Sequence, residues 1–162
     1  MSSIEKCPLP DHALLQKYAQ SGAYTDCYSV VLSSEVSHAD YVTSFYTTWL
    51  FKLERFILRW AVSRPSTDEE ARLLAAGRLD AFAAWYVEAR ADNQLLLCDF
   101  RDRTRSWLMV SEARLYFGSA VIPASNPGLD KSSLGISYRV LLGFHRLYSR
   151  ALLYAAKSRL QC

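Results

Sequence analysis

The middle of the chain carries four segments whose side chains alternate with a period of two residues, and this pattern constrains the fold most strongly. The segments cover residues 82–90, 94–101, 106–112 and 115–122, and short turn sequences separate them. A period of two is typical of strands that bury one face. The sequence therefore predicts four antiparallel strands in this region.

The turn between the first two segments indicates a register for the sheet. Residues 92–93 are Asp-Asn, and both residue types tolerate positive φ in a two-residue hairpin turn. A turn there pairs Trp85 with Phe100, and Trp107 placed opposite Phe100 extends an aromatic row that Met109 continues. A slip of one residue would scramble the apolar faces, so their agreement favours this register. We therefore expect these four side chains on one face of the sheet.

A helical period precedes the strands. From Ser37 onward, apolar residues recur at steps of three and four, and Asp40 follows Ser37 at the spacing of a capping box. This pattern predicts a long helix that residues 47–48 (Thr-Thr) bend or split. Its apolar face is predicted to consist of Val42, Phe45, Tyr46, Trp49, Leu53, Phe56, Ile57 and Trp60. Another helix is predicted from an N-cap at Ser66 to the region of Gly77.

The two ends of the chain add a short helix, a strand and a long helix. Residues 11–20 predict a helix, and residues 24–32 predict a strand rich in β-branched and aromatic side chains. Residues 123–133 form a loop sequence, and an amphipathic helix is expected over residues 135–160. Its apolar side is predicted to carry Leu141, Phe144, Tyr148, Ala151, Leu152 and Ala155.

Length and composition fit one globular domain over residues 1–162. Hydrophobic residues make up 51% of the chain and charged residues 22%, which excludes a disordered or low-complexity protein. The most apolar helical stretch, residues 45–62, carries four charged residues, so we expect no integral membrane association. The N-terminus shows no secretory signal pattern, and we expect a cytoplasmic protein.

The four cysteines show no metal-site spacing and no CxxC pair. They are Cys7, Cys27, Cys98 and Cys162. Their separation along the chain predicts separate reduced thiols rather than a disulfide framework. The three histidines lack the spacing of a metal site, and the chain has no glycine-rich phosphate loop and no GxSxG nucleophile elbow. We therefore expect no metal and no cofactor.

Two pairs of short motifs resemble a known family. The run DFR at residues 99–101 leads into the strand SWLMV at 106–110, and LGISY at 134–138 precedes GFHR at 143–146. Together with the helix that carries Trp49, Leu53 and Phe56, they resemble an uncharacterised bacterial domain family of START-like or polyketide-cyclase-like (helix-grip, SRPBCC-type) fold. The resemblance covers about residues 24–160. It implies an α+β fold in which a long C-terminal helix packs across a curved antiparallel sheet, with two helices inserted after the first strand and a cavity between sheet and helix.

A cavity of this kind favours a module that binds a small, mostly apolar molecule. The expected ligand-binding residues are Trp85, Phe100, Arg101, Trp107, Met109, Tyr138 and His145. A second hypothesis is an enzyme that uses the same cavity, with His145 and Asp99 as acid and base. Glu88, Arg90, Asp99 and Arg101 are predicted to share one sheet face, either as ligand contacts or as cross-strand salt bridges.

The charge distribution supports a third hypothesis, a protein-interaction domain. All acidic residues lie in residues 1–130, whereas residues 131–162 carry six cations and no acid. Four of these cations, Arg139, Arg146, Arg150 and Lys157, fall within about 20° of one line along the predicted helix. Such a line is typical either of a solvated helix face or of a surface for an acidic protein partner. It is too narrow for nucleic-acid binding, which we do not expect.

Overall fold

The computed structural model describes residues 3–61, 63, 65–122 and 133–161, and describes their side chains except in residues 57–61 and 133–145. The helices are α1 (Gln16–Gln20), α2 (His38–Tyr46), α3 (Trp49–Ala61), α4 (Asp68–Ala75) and α5 (Ser133–Leu160). The strands are β1 (Glu5–Lys6), β2 (Tyr24–Val31), β3 (Ala81–Phe82), β4 (Trp85–Ala91), β5 (Gln94–Asp99), β6 (Thr104–Ser111) and β7 (Arg114–Val121). The loop predicted over residues 123–133 falls, up to residue 132, outside the described residues.

The strands form one seven-stranded antiparallel sheet in the order β1-β2-β7-β6-β5-β4-β3. The four predicted strands correspond to β4–β7, and the long C-terminal helix corresponds to α5. The expected α+β class, with an antiparallel sheet and a C-terminal helix, is therefore confirmed.

The predicted register is right at the β4–β5 turn and wrong beyond it. Ala91 pairs with Gln94 around the two-residue turn, but a β-bulge between Val87 and Ala89 shifts the ladder, so that Trp85 pairs with Asp99 instead of Phe100. The β5–β6 register differs from the prediction by four residues, and Trp107 lies opposite Leu96. A bulge adds one unpaired residue to one strand and turns the side chains beyond it onto the other face.

The bulge separates the expected aromatic row into two layers. Trp85 packs on the side of the sheet that α2, α3, α4 and α5 cover, which we call the helical face. Trp107 and Met109 belong to a second core on the opposite side, which residues 9–18 cover and which we call the N-terminal face. Phe100 lies in the β5–β6 turn and is partly exposed. The prediction of one shared face is therefore wrong.

The long helix splits at residues 47–48, as predicted. Ser37 caps α2 by accepting a hydrogen bond from the Asp40 amide, and α2 ends at Tyr46. Thr48 then accepts a hydrogen bond from the amide of Phe51, which starts α3. The break rotates α3 about its axis relative to α2. Three residues of α3 that were predicted to continue the buried face of α2 therefore point away from the core. Trp49, Leu53 and Phe56 are exposed, contrary to the prediction.

Three other expectations are corrected in detail. The N-cap of α4 is Thr67 rather than Ser66, and it forms a full capping box with Glu70. The first helix covers only Gln16–Gln20 of the predicted residues 11–20. On α5, Leu152, Leu153 and Ala156 are buried, whereas Ala151 is exposed.

In the described part of the chain, every helix is too short or too polar to cross a membrane.

Candidate functional site

A cavity of about 480 Å³ lies between the helical face of the sheet, α3 and α5. Most of its lining is apolar, with Phe45, Phe51, Trp85, Phe117 and Leu152 among the wall residues. It reaches the surface beside Leu53, which lines the cavity while 51% of that residue remains exposed. Sites for drug-sized molecules typically enclose roughly 300–1,000 Å³ with such walls.

Glu54 brings a carboxyl group into this apolar lining. Phe51, one helical turn earlier on α3, packs against Tyr46 and Phe82 in the core. Residues three apart lie on the same side of a helix, so the packing of Phe51 turns Glu54 towards the sheet as well. The break at residues 47–48 determines which side of α3 faces the sheet, and it thereby places the Glu54 carboxylate in the cavity.

Two polar side chains converge on this carboxylate. The Tyr148 hydroxyl of α5 donates a hydrogen bond to Glu54 Oε2. The Trp85 indole Nε1 is buried without a partner at hydrogen-bond geometry, yet it is close enough to favour the ionised carboxylate. Burial raises the pKa of Glu54 above its ordinary value, and these two donors offset that effect only in part. Burial, followed by the charge of Glu54, raises the pKa of the Tyr148 hydroxyl.

Hydroxyl groups form a polar floor on the sheet side of the cavity. Ser106 and Ser119 line it from neighbouring strands, and the Tyr46 hydroxyl lies 3.4 Å from Ser106 Oγ. The Ser119 hydroxyl donates a hydrogen bond of 2.5 Å to Asp26, a buried residue on β2. The cavity therefore combines apolar walls with a few polar groups, an arrangement that can orient one polar end of an apolar molecule.

The raised pKa of Glu54 gives a stability prediction. A carboxyl whose pKa is higher in the folded state binds more protons there, so the folded state loses stability as pH rises through that range. Glu54→Gln keeps an acceptor for Tyr148 but cannot ionise. We expect the variant to exceed wild type by about 1 kcal/mol in unfolding free energy at neutral pH, the order of a buried polar penalty, and to match it in acid.

Urea unfolding at several pH values between acid and neutral measures this difference. Glu112→Gln, which removes an exposed carboxylate in the β6–β7 turn, is the matched control for the loss of one negative charge. A Glu54→Gln variant that is less stable than wild type at neutral pH would show that the ionised carboxylate stabilises the fold.

The predicted ligand-binding residues are distributed over several places. Trp85 lines the cavity. Trp107 and Met109 lie on the N-terminal face, away from it. Arg101 lies in the β5–β6 turn with its guanidinium 5.2 Å from the Phe100 ring centroid. The side chains of Tyr138 and His145, like that of the predicted surface cation Arg139, fall outside the described residues.

Asp99, the proposed acid–base partner of His145, has a structural role. Its Oδ1 accepts hydrogen bonds from the amides of Arg103 and Thr104, at 2.7 and 2.8 Å, and thereby holds the β5–β6 turn. Asp99 is not among the residues that line the cavity. Within the described residues, the ionisable carboxyl group of the cavity is Glu54.

The four charged residues predicted to share one face are separated by the same bulge. Glu88 lies on the N-terminal side, where Arg105 Nε is 2.5 Å from its carboxylate and Lys17 also pairs with it. Arg90 lies on the helical side and donates to the carbonyl oxygens of Leu74 and Leu79. The prediction of one shared face is wrong, and the buried guanidinium of Arg105 was not predicted at all.

Sequence reasoning also missed Glu54 and Tyr148 as cavity residues. In the sequence, Glu54 stands out only as a charge that argues against a membrane span. The signal that could have found it is its spacing of three from Phe51 on a helix that starts anew after Thr48. Tyr148 was correctly expected on the inner side of α5, but nothing in the sequence pairs it with Glu54.

A second concave surface, the α3–α5 groove, lies on the outer side of these helices. It encloses about 1000 Å³, and its apolar lining includes Trp49, Leu147 and Tyr154, of which Trp49 is 71% and Leu147 is 68% exposed. Arg150 and Arg159 line it as well, and its described lining contains no acidic residue. Both arginines are exposed, and Arg159 donates a hydrogen bond to the Thr47 carbonyl oxygen.

The other described cations of the predicted line differ in their surroundings. Arg146 Nε donates to the Tyr24 hydroxyl at 3.0 Å on the outside of the molecule. Lys157 is half-buried. The groove is thus basic mainly through Arg150 and Arg159 rather than through the full predicted line.

Comparison with family models, with curated proteins and with solved structures finds no match for this chain. The START-like resemblance therefore stays a prediction that rests on the motifs at residues 99–110 and 134–146. A function for this chain has to be inferred from the geometry of the cavity and of the groove.

Proposed function

We propose that this protein binds a small, mostly apolar molecule in the cavity between the sheet, α3 and α5, with a hydrogen-bonding end of that molecule at Glu54 and Tyr148. The observation that carries the proposal is a 480 Å³ cavity whose apolar walls enclose one carboxyl group with a raised pKa. A helix-grip architecture, which the START-like resemblance implies, places a ligand in this same position.

The polar groups of the cavity favour binding of a neutral polar end. A carboxyl group with a raised pKa is protonated more readily than an ordinary one and can then donate as well as accept a hydrogen bond. The indole N–H of Trp85, which is close to the Glu54 carboxylate but makes no well-formed hydrogen bond with it, could donate to a ligand acceptor such as a carbonyl or hydroxyl oxygen. Apolar contacts with Phe45, Phe117 and Leu152 would supply most of the affinity.

The proposal is tested with the neutral probe N-phenyl-1-naphthylamine and with native mass spectrometry of protein purified from its host. We expect saturable fluorescence enhancement with one site per chain, and a bound apolar molecule that solvent extraction releases and the probe displaces. A mass without any adduct, together with non-saturable probe fluorescence, would count against a binding module.

We propose, as a second candidate function, that the α3–α5 groove docks an acidic amphipathic helix of a partner protein. The groove combines exposed apolar side chains at a spacing of three and four on α5 (Leu147, Ala151, Tyr154) with Arg150 and Arg159. Because its described lining lacks acidic residues, a helix with one apolar and one acidic side complements it.

Peptide binding tests this second candidate. We expect a fluorescein-labelled helical peptide of Leu and Glu to bind, and a matched peptide of Leu and Lys to bind at least tenfold more weakly. Arg150→Glu should reduce binding of the acidic peptide by about tenfold, an effect of roughly 1.4 kcal/mol. Equal binding of both peptides, preferential binding to phosphatidylglycerol vesicles, or dimerisation of the protein through the groove would overturn this assignment.

A further inference from the structure

Two cysteines that are distant in sequence meet across the edge of the sheet. Cys7 directly follows β1, and the β1–β2 register, with Lys6 opposite Tyr28, places Cys7 opposite Cys27. The Cys7 amide donates to the Cys27 carbonyl oxygen at 3.0 Å, and the two Sγ atoms lie 3.3 Å apart. Cross-strand neighbours in antiparallel strands have Cα separations of about 4.5–5.5 Å, within the range that a disulfide bridges.

The prediction that the thiols are separate is therefore wrong for this pair, although both cysteines are free thiols in the structure. We propose that Cys7 and Cys27 are a peroxide-reactive dithiol, in which Cys7 is the attacking thiol and Cys27 the resolving thiol. Cys7 is half-buried and reachable at the sheet edge, whereas Cys27 is only 2% exposed. Solvent and peroxide can therefore reach the attacking thiol of Cys7 more easily than the resolving thiol of Cys27, as the two roles require.

The environment of Cys7 favours its thiolate. The hydrogen bond with Cys27 is the largest effect, and together with Ser29 and the positive charge of Arg114 it lowers the pKa of Cys7 to about 6 despite burial. The same contact raises the pKa of Cys27. At neutral pH Cys7 is then the nucleophile and Cys27 retains its proton.

The chemistry takes two steps with hydrogen peroxide as the oxidant. The Cys7 thiolate attacks one peroxide oxygen, the O–O bond breaks, and Cys7 becomes a sulfenic acid while hydroxide leaves and takes up a proton as water. Cys27 then attacks the Cys7 sulfur, a second water leaves, and the disulfide forms. Two thiols lose one electron each, and one peroxide is reduced to two waters.

The disulfide would tie residue 7 to β2 and so fix the start of the segment that covers the N-terminal face. That segment is otherwise held by packing and by contacts such as the Leu14 amide with Gln94. Closing a loop of this length typically stabilises a domain of this size by roughly 5–10 °C in Tm. The bond would therefore act as a reversible staple on this layer.

The test treats the full chain with one equivalent of hydrogen peroxide under native conditions. We expect a monomer that has lost two hydrogen atoms, a Cys7–Cys27 cross-linked peptide, a raised Tm, and recovery of both thiols with dithiothreitol. Cys98, where burial raises the pKa to about 11, is the internal control and should stay free. Iodoacetamide should modify Cys7 of the reduced wild-type chain at a rate that rises with pH through about 6.

Two results would overturn the proposal. One is peroxide treatment that leaves Cys7 and Cys27 free or links them between molecules. The other is Cys7 alkylation no faster than that of Cys98. Because the peptide map is made on the unmodified sequence, the first result does not depend on whether any variant folds. A double variant, Cys98→Ser with Cys162→Ser, should keep the full reaction.

Discussion

Replacing Trp107 by alanine is expected to destabilise the protein by about 3–5 kcal/mol, the usual cost of removing a buried aromatic side chain. The Trp107 ring is fully buried in the core of the N-terminal face. It packs so closely against β7 that a Cβ on Gly118 would come within 2.9 Å of it. The surrounding backbone belongs to the middle of the sheet and has little room to collapse into the resulting cavity.

The polar end of the same side chain adds to the effect. Trp107 Nε1 donates to Gln94 Oε1 at 2.9 Å, and Gln94 in turn accepts from the Leu14 amide and donates to the His12 carbonyl oxygen. Trp107→Phe keeps a buried ring but loses this bond and part of the indole packing, so it should cost less than alanine, about 1–3 kcal/mol.

Urea unfolding followed by circular dichroism measures both variants. Trp49→Ala is the control, because Trp49 is 71% exposed and its removal should change the unfolding free energy by less than about 0.5 kcal/mol. If Trp49→Ala were the more damaging change, the exposed side of α3 would have to be part of a core, as the helical period alone had indicated.

The sheet shows how much of this fold the sequence could predict. Alternation identified β4–β7 and the turn at residues 92–93, because a period of two and a turn of Asp-Asn are local properties. The bulge at Val87–Ala89 has no comparable signature, since it depends on which neighbours a strand meets in three dimensions. A single bulge was enough to place Trp85 and Trp107 in different layers.

The helices show a similar limit, because the sequence did not predict how α3 is rotated relative to α2. The split at residues 47–48 was predicted, but its rotation was not, because the angle between α2 and α3 is set by the packing of Phe45, Phe51 and Phe117. The candidate site depends on that rotation. It turns Glu54 inward and Trp49 outward, so the residues of the cavity could not be read from hydropathy alone.

Replacing Leu53 by tryptophan is expected to weaken binding of N-phenyl-1-naphthylamine by at least about tenfold, or 1.4 kcal/mol. Leu53 lines the cavity and is also exposed at its edge, so a larger ring there would fill the entrance. Because 51% of Leu53 is exposed, the change should leave the unfolding free energy within about 0.5 kcal/mol of wild type.

Leu147→Trp is the matched control for this measurement. It makes the same substitution at another exposed leucine, which lines the α3–α5 groove and not the cavity. Its affinity for the probe should stay within about twofold of wild type, since a twofold change is well under 1 kcal/mol. The opposite pattern, with only Leu147→Trp impaired, would place the apolar binding site in the groove. Equal affinity of wild type, Leu53→Trp and Leu147→Trp for the probe would show that it binds neither in the cavity nor in the α3–α5 groove. That result would contradict the proposal that the cavity binds an apolar ligand.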